Sequence, residues 1–203
     1  MKLPKDAIFH FLSAFVILLF VVSGLSNLPD YGMGWDEITR WNSGDRKLEH
    51  YQQLFSGSEG APENRMSGDR YPGLFDLPLA AFHAAFGGSR MLQGHTLSIL
   101  FGALGLAATS WLASLVFGAR VGFLSVLILA IFPRFYGHAM VNPKDIPFLA
   151  GYTLGLATVF WIASALLSGK VPRWWQFVVC GIAIGMAGSS RVPGLALLGI
   201  AAG

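Results

Sequence analysis

Charged residues make up only 12% of this 203-residue chain, and cysteine occurs once, at Cys180. One cysteine excludes a disulfide framework and a thiolate metal cluster, and it says nothing about redox compartment. The formal charge of +3 comes from basic residues dispersed along the chain rather than gathered in a stripe. That distribution is not a nucleic-acid signature, and no polynucleotide partner is implied. Several catalytic motifs are missing too. There is no Walker phosphate loop, no His-Glu-x-x-His and no Gly-x-Ser-x-Gly, so the chemistries those motifs carry lack their residues. The five histidines, His10, His50, His83, His95 and His138, show no metal-ligand spacing.

Apolar sequence is what the chain has in quantity: 54% of its residues are hydrophobic, with a mean hydropathy of +0.56. Lipid is the solvent that suits this composition. Crossing about 30 Å of hydrocarbon at roughly 1.5 Å per residue takes about 20 residues. Four stretches are long and apolar enough: Ile8 to Leu25, Leu97 to Phe117, Ile146 to Leu167, and Trp174 to Gly188 with its flanks. Val121 to Phe132 is shorter and is expected to cross by starting near Gly118 and continuing as a helix through Pro133 and Arg134. A sixth stretch begins at Leu195 and runs to Gly203. The pattern predicts an all-α, polytopic transmembrane helix bundle with spans at about 8–27, 93–117, 119–136, 146–168, 174–190 and 194–203.

Short cytoplasmic loops collect lysine and arginine. Lys2 and Lys5 precede the first span. Counting spans from there puts the Gly118-Ala119-Arg120 turn and the Gly169 to Arg173 turn, with Lys170 and Arg173, on the same side. The expectation is a multi-pass protein of the cell (inner) membrane with a cytoplasmic N-terminus and an outer loop at about 28–91, a segment holding nine acids and six bases. A cleaved signal peptide is the alternative for the first span, because Gly24-Leu25-Ser26 follows an apolar run. The loop is outside in both cases. The Gly-xxx-Gly spacings Gly151 to Gly155, Gly181 to Gly185 and Gly199 to Gly203 predict close helix packing rather than function.

Within the outer loop, Ile38, Trp41, Leu48, Tyr51 and Leu54 recur at helical steps interrupted by Gly44. This predicts a broken helix lying on the membrane over Trp35 to Phe55. The cluster Ser56-Gly57-Ser58-Glu59-Gly60-Ala61-Pro62 predicts a turn. Asp76 to Phe86 follows Tyr71-Pro72-Gly73-Leu74-Phe75 and is too short to span, so it predicts a second interfacial helix, ended by Gly87-Gly88.

Ionisable groups beside hydrocarbon are costly and usually serve a site, and here they collect at the outer face in four places. Asp36-Glu37 closes Gly32-Met33-Gly34-Trp35-Asp36-Glu37 soon after the first span. A carboxylate held there can take a proton from a hydroxyl acceptor or bind a divalent metal. The plain alternative is that the pair starts a helix, favoured by the dipole. In Pro133-Arg134-Phe135-Tyr136-Gly137-His138, Arg134 falls roughly 24 Å from Gly118 along a straight helix, near the outer edge, where it needs an anion. Asn142-Pro143-Lys144-Asp145 sets Asp145 to cap the next helix and Lys144 toward headgroups. Arg191 ends the fifth span in Ser189-Ser190-Arg191-Val192-Pro193, where snorkelling to lipid phosphate is the plain reading. Carboxylates in the first outer loop together with cations at later span ends suit a reaction on a lipid-linked phosphate, with guanidinium groups stabilising the leaving charge. His138 is placed to join a metal site, and whether a divalent metal takes part is left open.

The series Trp35-Asp36-Glu37, Tyr71-Pro72-Gly73-Leu74-Phe75, Gly87 to Leu92, Phe132-Pro133-Arg134 and Asn142-Pro143-Lys144-Asp145-Ile146-Pro147-Phe148 resembles the N-terminal part of a GT-C glycosyltransferase. The branch it resembles holds protein O-mannosyltransferases and aminoarabinose transferases, and order and spacing match across nearly the whole chain. The resemblance implies a GT-C-like fold and transfer of a sugar from a polyprenyl-phosphate carrier to a protein, lipid or glycan acceptor on the non-cytoplasmic side, with inversion. It implies Asp36 as the catalytic acid residue, Glu37 orienting the loop or acceptor, and Arg134, Lys144 and Arg191 holding the carrier phosphate. Asp145 matches the family's second acidic position, and Tyr71 and His138 join the candidate substrate-binding residues. A solvated aspartate is a weak base, so binding and orientation must supply much of the rate. Family members carry more spans and often a C-terminal domain. The expectation is therefore a single membrane domain over residues 1–203, the N-terminal part of a longer module. Many relatives also have a second proline where this chain has Gly73, and some a lysine before that motif.

A non-catalytic membrane module, part of a transporter or an assembly subunit, is the competing class. It would place ionisable residues at mid-membrane, whereas the middles of these spans are nearly charge-free.

Overall fold

The computed structural model describes residues 6–57 and 71–202. Lys2, Lys5, Ser58 to Pro62 and Gly203 lie outside the described residues. Among the described residues all regular structure is helical, as the composition predicts. Three helices are long and apolar enough to cross a membrane: α1 (Ala7–Ser26), α4 (Arg90–Phe117) and α7 (Asp145–Leu167). Between α1 and α4 lie α2 (Glu37–Ser56) and α3 (Asp76–Phe86), and the chain continues from α4 through α5 (Ala119–Ile131) and α6 (Pro133–Val141) to α7. After α7 come α8 (Trp174–Ser190), a 3-10 turn over Val192–Leu195, and α9 (Ala196–Ala202). With 17 residues, α8 rises roughly 26 Å.

The straight span through Pro133 and Arg134 does not form, because α5 and α6 meet at a 68° bend. Proline is the cause. Its ring disfavours the helical conformation at the preceding residue, and Phe132 is extended at φ −70°, ψ 114°. Pro133 instead opens α6 at a first-turn position, where its missing N–H is not needed. Arg134 therefore sits in the first turn of a short helix and not at the end of a long one.

Which helix ends meet decides where any site can be. Phe9 near the start of α1 packs on Phe123 near the start of α5, with ring centroids 6.3 Å apart. Trp161 late in α7 lies between Trp111 late in α4, at 5.5 Å, and Trp175 at the start of α8, at 5.3 Å. One end of the bundle thus collects the Arg120 and Lys170–Arg173 turns beside the start of α1. The other end gathers α2, α3, α6, the start of α7 and the end of α8.

The core is built where α1, α4, α6 and α7 cross, from Phe20, Ile99, Leu106, Phe135, Met140 and Ile146. Lipid is as apolar as these side chains, so helix association relies on close contact and small residues. At Gly151 an added Cβ would stand 2.8 Å from the Ala187 backbone nitrogen, and at Gly155 2.6 Å from a Leu197 methyl. Gly181, Gly185 and Gly199 have nothing within 4 Å. The packing reading of the glycine spacings thus fits the Gly151 and Gly155 pair and not the Gly181 and Gly185 pair, while Gly203 of the third pair lies outside the described residues.

The largest departure concerns α2, which runs unbroken through Gly44. Its buried side is a polar stripe at helical spacing, Glu37, Arg40, Ser43, Gly44 and Lys47, while Ile38, Tyr51 and Leu54 face outward. Gly44 does not break the helix, because α3 crosses there: an added Cβ would lie 2.4 Å from the Asp76 carbonyl oxygen. For α3 both bounds follow the sequence reading, and Gly87 and Gly88 end it with φ of 64° and 88°.

Candidate functional site

The polar stripe of α2 closes on the start of α3. Arg40 Nη1 donates to Asp76 Oδ2 at 3.0 Å, the Ser43 hydroxyl donates to the same oxygen at 2.9 Å, and Lys47 Nζ lies 3.4 Å from it. Lys47 also bonds Ser43. All four side chains are buried. Burial pushes the Asp76 carboxyl above the ordinary carboxylate range, and the nearby Arg40, Lys47 and Ser43 pull it back without cancelling that shift. Pro78 in the first turn of α3 leaves this arrangement undisturbed, since no helical hydrogen bond is lost there.

Tyr71 connects this buried cluster to the candidate catalytic residues. Its ring lies 4.4 Å from the Arg40 guanidinium carbon and 5.3 Å from Lys144 Nζ, two cation–π contacts on one ring. The segment after it is pinned to the end of α8, where Leu74 N donates to Ser189 O at 3.1 Å. Gly73 can take its φ of 110° there, and the Lys47 stem packs where a side chain would be. A small cleft results, lined by Arg40, Tyr71, Asp76, Lys144, Ser189 and Ser190.

Asp36 and Lys144 meet at the mouth of that cleft, Oδ2 to Nζ at 2.5 Å. Helix α2 does begin at Glu37, but the Asp36 side chain makes no capping hydrogen bond. Lys144 is thus tied to the first loop. The capping expected of Asp145 falls instead to Asn142, whose Oδ1 accepts from the backbone N–H of Lys144 at 3.1 Å and of Asp145 at 2.9 Å. That leaves the Asp145 carboxylate to pair with Arg191 and to accept from Asn142 at 3.1 Å. Both pairs are partly exposed, with side-chain exposures of 41% and 21% for Asp36 and Lys144, and 52% and 39% for Asp145 and Arg191. Pairs so wetted contribute about 0–1 kcal/mol each, so an anionic ligand can exchange for either carboxylate at little cost.

Glu37 plays a different part. It is 4% exposed and accepts from Gly34 N at 2.9 Å, and its Oε1 lies 2.8 Å from Nε2 of His95, which is 1% exposed. The carboxylate therefore folds the Gly34–Asp36 approach back onto α4. Glu37 Oε2 and His95 Nδ1 are buried with no hydrogen-bond partner among the described residues. His138 Nδ1 and Asn142 Nδ2 are 2.9 Å apart. Arg134 is exposed and has no ion pair or hydrogen bond among the described residues. No three His, Cys, Asp or Glu side chains converge as metal ligands among the described residues.

Of the residues singled out by sequence, Asp36, Tyr71, Lys144, Asp145 and Arg191 are linked by ion pairs, ring contacts or chain adjacency, and Glu37 and His138 lie beside them. Arg134 stands apart. Sequence reasoning missed Arg40, Ser43, Lys47, Asp76 and His95. The available signal was the second stripe on α2, polar residues at helical steps opposite the apolar ones. Nothing in the spacing marked His95 as the partner of Glu37, 58 positions away.

A family model described as dolichyl-phosphate-mannose-protein mannosyltransferase matches residues 72–202. The match takes in α3 to α9 with Asp76, Arg134, Lys144, Asp145 and Arg191, and it begins after Asp36, Glu37 and Tyr71. No curated protein and no solved structure matches the chain significantly.

Proposed function

The chain belongs to the dolichyl-phosphate-mannose-protein mannosyltransferase family, and on that premise we propose that it moves a sugar from a polyprenyl-phosphate carrier to a hydroxyl acceptor at the non-cytoplasmic face, inverting the anomeric carbon. Membership makes it a membrane glycosyltransferase of the GT-C kind. The observation that carries the finer reading is the Asp36–Lys144 pair at 2.5 Å, set beside Tyr71 and next to Asp145–Arg191.

The carrier phosphate takes Lys144 and Arg191, with Arg134 reaching it from α6, and displaces the two carboxylates from their weak pairs. Asp36 is then released beside the acceptor hydroxyl. The acceptor oxygen attacks the anomeric carbon as the carbon–oxygen bond to phosphate breaks on the opposite face. The electron pair leaves on the phosphate, the acceptor proton passes to Asp36, and the configuration inverts. Cations stabilise the leaving phosphate, and Glu37, anchored by His95, holds the Asp36 loop in place. His138 and Tyr71 line the sugar side. The acceptor is a protein, lipid or glycan hydroxyl, and the bundle end carrying Arg120, Lys170 and Arg173 faces the cytoplasm, as short basic turns do.

Binding of a polyprenyl-phosphate sugar to the purified chain in nanodiscs tests the reading. Arg134→Ala and Arg191→Ala should each weaken it about tenfold or more, the range of one charge-assisted hydrogen bond. Binding unchanged in both variants would remove the phosphate from this end of the bundle.

A further inference from the structure

At the opposite end of α7 from Asp145, the chain turns through Gly169 to Arg173 into α8 and leaves a cleft of about 360 Å³, within the range of ligand sites. Its lining includes Trp161, Lys170, Arg173 and Gln176 and contains no acidic residue. Neither Lys170 nor Arg173 makes an ion pair among the described residues, so two cations face the cleft without a counter-charge. Gln176 is 8% exposed, and its Oε1 accepts from Arg173 N at 2.7 Å. That bond fixes the amide orientation and leaves its NH2 with no hydrogen-bond partner among the described residues. The amide lines a cavity whose charged groups are all donors. Such a lining fits a ligand that only accepts, an anion.

The surroundings choose between a free anion and a lipid. Leu167, Val171 and Trp174 flank the cleft at 89%, 91% and 77% exposure, and Phe177 and Val178 continue an exposed apolar strip along α8. Trp161 and Trp175 pack in a tilted ring contact beside it, the residue type that settles at headgroup depth. We propose that this turn is a binding site for an anionic glycerophospholipid, its phosphate held by Lys170, Arg173 and the Gln176 amide and its acyl chains lying along Phe177 and Val178. The site is separate from the sugar-transfer cleft and does not depend on that reading.

Lipid retention on the purified chain, read by native mass spectrometry against phosphatidylglycerol, phosphatidylcholine and inorganic phosphate, tests this directly. Phosphatidylglycerol should be retained in preference to phosphatidylcholine. Lys170→Gln and Arg173→Gln should each reduce retention about fivefold. Arg120→Gln, which removes a charge at the same end of the bundle but outside the cleft, should leave it unchanged. Equal retention of both lipids would overturn the proposal, as would an equal effect of Arg120→Gln, which would mean diffuse charge attraction. Phosphate binding that responds to the same variants while lipid retention does not would replace the lipid with a soluble anion.

Discussion

Replacing a glycine by alanine inside an open helix stabilises it by about 0.8–1 kcal/mol. Gly44, near the middle of α2, should do the opposite. Its new Cβ would stand 2.4 Å from the Asp76 carbonyl oxygen, 3.0 Å from the carbonyl carbon and 3.1 Å from the Ala80 Cβ. Two of those atoms are backbone, so the start of α3 must shift. Overpacking of this kind costs about 1–3 kcal/mol, and the shift also pulls Asp76 from Arg40 and Lys47, which puts the cost in the upper part of the range. After the helix gain, Gly44→Ala should lose about 1–2 kcal/mol, a fall of roughly 2–8 °C in Tm. Gly181→Ala is the matched control, since its Cβ meets nothing within 4 Å. It should gain up to about 1 kcal/mol and raise Tm by roughly 2–4 °C. Thermal unfolding of both variants in one detergent reads the difference. A Gly44→Ala variant as stable as wild type, or one that gains like Gly181→Ala, would refute the close crossing of α2 over α3.

Three further outcomes follow from the same geometry. His95→Ala removes one of the two hydrogen-bond partners of the buried Glu37 Oε1 and should lower stability by about 1–3 kcal/mol, whereas His95→Gln, which keeps an N–H donor, should recover part of the loss; equal Tm values for the two variants would argue against the pair. Burial raises the folded pKa of Asp76 above 3.8, so the folded chain binds that proton more tightly than the unfolded chain. The stabilising contribution is complete below about pH 3.8 and is lost as pH rises through the folded value. Asp76→Asn should flatten the Tm-against-pH curve over that acidic window, and a curve parallel to wild type would contradict the shift. Arg134→Ala removes an exposed side chain with no described partner, so stability should stay within about 0.5 kcal/mol in the same unfolding assay.

Much of this architecture was legible because membrane helices announce themselves by length and apolarity, as α1, α4 and α7 do. The ends of α3 were legible from its short apolar run and the Gly87-Gly88 pair. Pro133 carried its signal too, but an apolar run read by length alone passed over the bend that a proline imposes on the residue before it. On α2 the usual rule inverts. In water the apolar stripe faces the core, but beside lipid Ile38, Tyr51 and Leu54 can face outward while Arg40, Ser43 and Lys47 pack inward on Asp76. A hydrophobic pattern alone does not say which stripe is covered. Asp36, Lys144, Asp145 and Arg191 were found as types of residue at the ends of helices. Their pairing was not legible, because Asp36 and Lys144 are brought together by the fold of α6 and α7 against the first loop, and no local spacing encodes that. His95 stayed hidden for the same reason.

The central claim is that Asp36 receives the acceptor proton during sugar transfer. The direct measurement is transfer from a polyprenyl-phosphate sugar to acceptor in membranes carrying wild type or Asp36→Asn, with donor binding and Tm measured on the same preparations. The account predicts a loss of about 10²–10⁴ in rate, the range of general-base catalysis, with Tm and donor binding held. Transfer at the wild-type rate by a normally folded Asp36→Asn protein would contradict it.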